Sequence, residues 1–208
     1  MQIQWEYPEP RSGLPGEWDR FIGPGATRAE NWLIIASAFL AAGFVLIYDF
    51  LGPQRPTALQ IVLSTLIAFD LGGGVAANAT RAAKRWYHRP GQGRRQHMAF
   101  TLVHILYIFL VAWLFRSMDW VYFACFSVFL GAAAWLILSA PLYLQRALTL
   151  VFCGLAVMFN VFPLPTPGLE WFIPILFIKL LAGHVLREEP YSPQPARPDW
   201  RAGDGGGG

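Results

Sequence analysis

Six apolar runs separated by short polar segments dominate the chain. They cover residues 32–51, 58–79, 98–115, 120–140, 147–163 and 169–186. A helix needs about 20 such residues to cross the roughly 30 Å of hydrocarbon in a bilayer. The pattern therefore predicts an all-α polytopic membrane protein, a bundle of six transmembrane helices. Residues 1–31 are predicted to form a cytosolic N-terminal tail, and residues 187–208 a disordered cytosolic tail rich in proline and glycine.

Composition supports the membrane class. Of the 208 residues, 55% are hydrophobic and 14% are charged, whereas soluble domains carry about 25% charged residues. So few charges could not cover a water-exposed surface. The net charge of +3 is concentrated in one loop and the two tails, where it suits topology and anionic lipid rather than nucleic acid.

The loop of residues 80–97 orients the bundle. It carries six basic residues and no acid, namely Arg81, Lys84, Arg85, Arg89, Arg94 and Arg95. Because basic residues accumulate on the cytosolic side of membrane proteins, we expect this loop to be cytosolic. If the spans alternate in direction, the external loops contain only two basic residues, Arg55 and Arg116. Both termini are therefore predicted to be cytosolic. Acids and prolines precede the first apolar run, unlike in a cleaved signal peptide, so the first span is expected to stay as an anchor. The expected location is a bacterial inner membrane, since nothing in the sequence resembles an organelle address.

Asp70 is the ionisable residue that stands out within the spans. It lies eleven residues before Arg81, which at about 1.5 Å per residue places it roughly 16 Å below the basic loop. A charge at that depth costs about 2.5–3.5 kcal/mol, so it should face protein or water. Two interpretations stay open: a carboxylate that binds a metal or cation or carries a proton, and a structural bond to another span.

His104 is expected about two turns below the cytosolic rim of the third span, and His184 at a depth comparable with that of His104. Together with Asp70 they predict a catalytic acid–base set or a metal shell, and a divalent metal is the cofactor that the sequence leaves open. The alternative for each histidine is a bond to a backbone carbonyl. Lys179 lies about 140° from His184 on an α-helix, so we expect only one of them to face Asp70. An ion pair of Lys179 with Asp70 is a further expectation.

The segment RWYHR places cations beside aromatic rings in the basic loop. Arg85, Trp86, His88 and Arg89 are predicted to bind anionic headgroups at the inner leaflet. The alternative is that these residues serve only to determine topology.

The combination of Asp70, His104 and His184 near one membrane face is similar to that of membrane hydrolases of the alkaline ceramidase and adiponectin receptor type. The resemblance implies metal-assisted hydrolysis of a lipid. Those families also have an HxxxH pair on the last helix and usually seven spans, and this sequence has neither.

Three functions remain open. The first is a cytosol-facing intramembrane site of Asp70, His104 and His184 that acts on a lipid-like substrate, which would make the protein an enzyme. The second is a non-catalytic helical subunit of a membrane complex. The third is a small proton- or cation-coupled transporter. The expected partners are membrane lipids and either a membrane protein or a second copy of the chain, and no nucleic acid.

Overall fold

Helices make up nearly all of the chain that the computed structural model describes, which is residues 2–192. They are α1 (Gly13–Ile22), α2 (Arg28–Leu51), α3 (Ala58–Ala79), α4 (Arg81–Tyr87), α5 (Arg94–Val103), α6 (Ile105–Leu114), α7 (Trp120–Ser139), α8 (Leu142–Val161), α9 (Phe172–Phe177) and a π-helix (Ile178–Val185) that continues α9. Two strands of two residues each, β1 (Gln2–Ile3) and β2 (Tyr191–Ser192), pair antiparallel.

Five helical stretches within residues 2–192 are long and apolar enough to cross a membrane. They are α2, α3, the combined α5 and α6 (Arg94–Leu114), α7 and α8. A sixth apolar stretch, Phe172–Val185, is shorter and is called the last helix below. The protein is therefore a helical, multi-pass integral membrane protein.

A polar cap explains why α2 begins before the edge of its apolar run. Thr27 caps α2 by accepting a hydrogen bond from the Glu30 amide, while the Glu30 carboxylate accepts one from the Thr27 amide. Such a reciprocal box satisfies two amides that the first turn leaves unpaired. As a result α2 begins at Arg28, four residues before the predicted span at 32. Thr57 and Gln60 form the same arrangement at the start of α3.

The third and sixth predicted spans are not regular α-helices. The third span breaks at His104 into α5 and α6, and the His104 Nδ1 lies 2.8 Å from the carbonyl oxygen of Phe100. The last helix changes to π-helical hydrogen bonding at Ile178. Since π-helical segments bond residues five apart rather than four, side chains beyond this point take directions that an α-helix would not give them.

The last helix lies at the centre of the bundle. Phe172, Ile173, Leu176 and Phe177 have no exposed surface, and α3, α6, α7 and α8 contribute buried side chains to the same cluster. On the outer helices, large apolar side chains such as Phe44 on α2 remain exposed, as is expected of a surface in contact with acyl chains. The most central helix is thus the shortest of the apolar stretches.

Small residues allow α2 and α3 to pack closely. A Cβ atom built on Gly72 would lie 2.3 Å from the Cβ of Ala41, and one on Gly73 would lie 2.9 Å from the Cβ of Ala38. Such small-residue contacts are a common means of helix association in membranes. Two of the three consecutive glycines therefore serve this interface.

The first 31 residues, for which the sequence predicted only a tail, contain α1 and pack onto the bundle. Ile22 is buried in a cluster with Ile34 and Ala77. Gly23, with φ of +97°, approaches the backbone of Ala82 so closely that a Cβ would lie 2.3 Å from its carbonyl oxygen. At the other end of the chain, the predicted tail at 187–208 lies outside the described residues from 193 onwards.

Candidate functional site

Asp70 on α3 forms an ion pair with Lys179 in the first turn of the π-helix, which confirms the pair expected from the sequence. Gly74, one helical turn beyond Asp70, provides the space, because a Cβ there would lie 2.3 Å from the Lys179 Cε. The Lys179 side chain is 5% exposed and that of Asp70 is 35% exposed. The carboxylate therefore reaches the bundle surface while the ammonium group is held beneath it.

His104 and Tyr107 lie beside this pair. The two rings meet edge to face with centroids 5.6 Å apart, and the Tyr107 hydroxyl is within electrostatic range of the Asp70 carboxylate. The contact between His104 Nδ1 and the Phe100 carbonyl leaves Nε2 as the nitrogen free for other chemistry. His104 thus contacts a backbone carbonyl, which was the alternative expected for each histidine, and it also lies near Asp70.

Three histidines cluster at the end of the bundle that carries residues 80–97, here called the basic face. His97 Nδ1 and His184 Nε2 are 3.1 Å apart, so a proton on one ring is shared with the other. The centroid of His97 is 4.5 Å from that of His88 and 4.8 Å from that of His184. His97 and His184 are buried, and the cluster is therefore largely shielded from water.

Phe100 connects this cluster to the intramembrane pair. Its ring stacks on His184 with centroids 4.0 Å apart and lies 4.8 Å from His104. All four histidines of the chain thus belong to one series of ring contacts, called the histidine line below. In order from the basic face towards Asp70 it contains His88, His97, His184, Phe100, His104 and Tyr107.

A cavity of about 110 Å³ adjoins the middle of the histidine line. It is lined by Tyr87, Gln92, Gln96, His97, Phe100 and His184. One water molecule needs about 10–15 Å³ of such space and at least two polar partners. The cavity has room for several, beside the phenyl ring that separates His184 from His104.

Burial keeps the outermost histidine neutral. It lowers the pKa of His88 to about 3, and the charges of His97, Lys84 and Arg187 act in the same direction. The Nε2 atom of His88 and the Nδ1 atom of His184 are buried without a hydrogen-bond partner among residues 2–192. A neutral imidazole has one donor and one acceptor nitrogen, so both rings retain capacity to exchange a proton.

Lys84 holds the end of the last helix next to the histidines. Its ammonium group donates to the carbonyls of Ala182, Gly183 and Leu186 at 3.2, 2.7 and 2.8 Å. These belong to carbonyls that a helix end leaves unpaired. Burial lowers the pKa of Lys84 to about 8, although the Glu188 carboxylate, 3.6 Å away, opposes the shift. One of the three carbonyls, that of Gly183, belongs to the residue next to His184.

The four residues predicted to bind headgroups take part in several different contacts. Arg85 is buried and donates to the carbonyls of Glu6 and Pro24 at 2.8 Å each. The Trp86 indole donates to the carbonyl of Arg20, and the Arg89 guanidinium stacks over the Trp86 ring. His88 belongs to the histidine line. Arg85 and Trp86 therefore bond the N-terminal segment of this chain, whereas Arg89 and His88 contact residues of the loop itself.

The structure does not bring His184 together with Asp70 and His104, the other two residues predicted as a metal shell. His184 contacts His97 rather than Asp70, and Phe100 separates it from His104. Within residues 2–192 no three histidine, cysteine, aspartate or glutamate side chains are arranged to hold a metal ion. Comparisons of the chain with protein-family models, curated proteins and solved structures gave no match.

Several members of the site were not expected from the sequence. Tyr107 and Phe100 looked like ordinary apolar or aromatic positions in a span, and Lys84 looked like one more cation of the basic loop. The signal that could have indicated a cluster is that His88, His97 and His184 all lie near the same predicted end of the bundle. Sequence alone gives no distance between them.

Proposed function

We propose that the chain crosses the membrane six times, with the last helix as the sixth crossing and both ends in the cytosol. Support comes from the pairing of β1 with β2, because two segments that pair lie on one side of the membrane and require an even number of crossings. Lys84 bonds the end of the last helix, which links the basic loop to that same side.

Contacts at the opposite end of the bundle fit this arrangement. Arg116, after α6, donates to the carbonyl of Pro165 and the hydroxyl of Thr166, before the last helix. Gln54, between α2 and α3, lies against Gly168. All three segments are on the outside in a six-span scheme, and the distribution of basic residues supports the cytosolic location of the basic face.

We propose that the protein transfers protons between the cytosol and the Asp70–Lys179 pair, as part of a small proton-coupled transporter. The observation that carries this proposal is the histidine line, in which every histidine of the chain lies between the basic face and an intramembrane ion pair. Imidazole accepts a proton on one nitrogen and releases one from the other. Intramembrane chains of acids and histidines are typical of proton relays.

Phe100 gives the relay a control point. Its phenyl ring carries no exchangeable proton, so transfer between His184 and His104 requires water from the adjacent cavity or movement of the ring. The proposal therefore assigns Phe100 the role of a barrier that limits the proton flux.

Proton flux into liposomes tests the proposal. The purified full-length protein is reconstituted with a pH-sensitive dye inside, and a potassium diffusion potential drives protons inwards. We expect acidification that is lost in Asp70→Asn and in His97→Ala and that is faster in Phe100→Ala. Glu17→Gln, which removes one exposed acid on α1, is the matched control and should behave as the wild type.

Two outcomes would reject the proposal. One is a wild-type flux no greater than that of protein-free liposomes at a range of imposed potentials. The other is an unchanged flux in Asp70→Asn and His97→Ala proteins that elute as folded, monodisperse particles.

A second candidate follows from the exposure of Asp70. With about a third of its side chain at the surface and the half-buried His104 beside it, the pair could provide acid–base catalysis on a lipid-like substrate that enters from the side. Incubation of the reconstituted protein with total lipid extract, followed by mass spectrometry, tests this. A product formed by the wild type and absent with Asp70→Asn would favour the enzyme. Unchanged lipid would reject it.

A further inference from the structure

A second polar cavity lies at the end of the bundle opposite to the basic face. It has a volume of about 300 Å³ and is formed where the segment between α2 and α3 meets the end of α6 and the start of the last helix. This volume is at the lower end of the range for small-molecule sites, about 300–1,000 Å³. Its walls include Asp49, Gln54, Arg55, Gln60, Phe115 and Leu169.

Asp49 is the buried charge of this cavity. It is 8% exposed, and one carboxylate oxygen accepts a hydrogen bond from the Ser64 hydroxyl at 2.6 Å. Its other oxygen has no hydrogen-bond partner among residues 2–192, and no cation of that part of the chain pairs with it. A buried carboxylate normally has a cationic or hydrogen-bonding partner, so this one is arranged to receive a donor from the cavity.

Arg55 provides the opposite charge at the rim. It lies in the short segment between α2 and α3, is exposed, and forms no ion pair with other described residues. A guanidinium group matches a carboxylate through two parallel hydrogen bonds. Phe115 and Leu169 contribute apolar surface to the same cavity.

We propose that this cavity binds a small zwitterion of the α-amino acid class with an apolar side chain. The ammonium group of the ligand bonds the free oxygen of Asp49, its carboxylate bonds Arg55, and its side chain packs against Phe115 and Leu169. A ligand with only a positive charge would be repelled by Arg55, and a ligand with only a negative charge would be repelled by the buried Asp49 carboxylate. The site goes beyond the proposed proton transfer and does not depend on it, because binding is measurable without any flux.

Binding to the purified full-length protein in detergent tests the proposal, with L-leucine as the probe. Two truncated analogues separate its charges: isopentylamine lacks the carboxylate, and 4-methylpentanoate lacks the ammonium group. We expect leucine to raise the melting temperature and to bind in calorimetry. Each analogue should bind at least tenfold more weakly.

Variants assign the two charges. Asp49→Asn should weaken leucine binding at least tenfold. Arg55→Gln, an exposed position whose change does not endanger folding, should weaken leucine binding similarly but leave the weak binding of isopentylamine unchanged. Asp119→Asn is the matched control: it removes an acid from the same end of the bundle, and asparagine also caps a helix. Its leucine affinity should equal that of the wild type.

Three results would overturn the proposal. They are the absence of any leucine binding at millimolar concentration, binding of isopentylamine as tight as that of leucine, and wild-type leucine affinity in the Arg55→Gln protein. Because none of these measurements involves protons, they leave the test of the histidine line independent.

Discussion

Gly72 permits the closest contact between α2 and α3, so Gly72→Ala should weaken the packing of the first two spans. The added methyl group would meet the Cβ of Ala41 at 2.3 Å and the carbonyl oxygen of Ser37 at 3.0 Å. Neither atom can move without its helix, because one is the first atom of a side chain and the other belongs to the backbone. The two helices must therefore separate.

The size of the effect follows from the distances. Ordinary carbon contacts begin at 3.4 Å, so the 2.3 Å contact requires a shift of about 1 Å. Overpacking of this kind costs about 1–3 kcal/mol, and alanine gains about 1 kcal/mol over glycine in helix propensity. Because relief of the contact requires a whole helix to shift by about 1 Å, we place the cost in the upper part of that range, about 2–3 kcal/mol, and expect a net loss of about 1–2 kcal/mol in the free energy of unfolding.

Unfolding of the purified protein in detergent measures this loss. Gly43→Ala on α2 is the control, since a Cβ there meets nothing within 4 Å in the described chain, and its stability should be unchanged or slightly higher. In the double variant Ala41→Gly with Gly72→Ala the methyl group moves from one helix to the other, so at least half of the loss should return. A stable Gly72→Ala protein, or a double variant no better than the single one, would refute the packing argument.

Three further predictions concern buried ionisable groups. Burial lowers the pKa of His88 from 6.5 to about 3, so below pH 6.5 the unfolded chain binds a proton at this residue more readily than the folded chain does. The free energy of unfolding is therefore unaffected by His88 above pH 6.5 and falls as the pH is lowered towards 3. The slope reaches about 1.4 kcal/mol per pH unit, and thermal unfolding of His88→Gln across this range should show a smaller slope. Lys84→Ala leaves carbonyls of the last helix unpaired and should cost about 2 kcal/mol, with faster proteolysis at Arg187 as the readout. Asp70→Asn combined with Lys179→Met should be more stable than Asp70→Asn alone, because the single variant leaves a buried ammonium group unpaired; equal stabilities would contradict the ion pair.

The long helices could be predicted because length and apolarity decide them. The observed start and end of α3 coincide with the predicted span at 58–79. By contrast, α8 begins at Leu142 rather than 147, since its first turn carries Gln145 and Arg146. Such polar turns belong to a helix but not to an apolar run.

The ion pair of Asp70 with Lys179 could be predicted from depth alone, because two opposite charges at one level of a bilayer have few other partners. The contact of His184 with His97 could not be predicted. The direction of the His184 side chain was derived from α-helical geometry, and the π-helix from Ile178 changes that geometry. Nothing in the residue pattern of this stretch distinguishes π-helical from α-helical hydrogen bonding.

The basic loop shows a different limit of sequence reasoning. Charge counts indicate a side of the membrane but not which cations are free. Lys84 and Arg85 are buried and bond backbone carbonyls, whereas Arg94 and Arg95 are exposed. The contacts of Arg85 depend on the folded N-terminal segment, and that fold could not be predicted because the segment contains no apolar run.

The pairing of β1 with β2 has a consequence for biosynthesis. Gln2 and Ile3 precede the described membrane helices along the chain, yet their partners, Tyr191 and Ser192, follow only after those helices have been translated. Residues 2–3 must therefore remain unpaired at the membrane surface while the helices are made, and assembly of this end of the bundle can finish only after the last helix has been inserted.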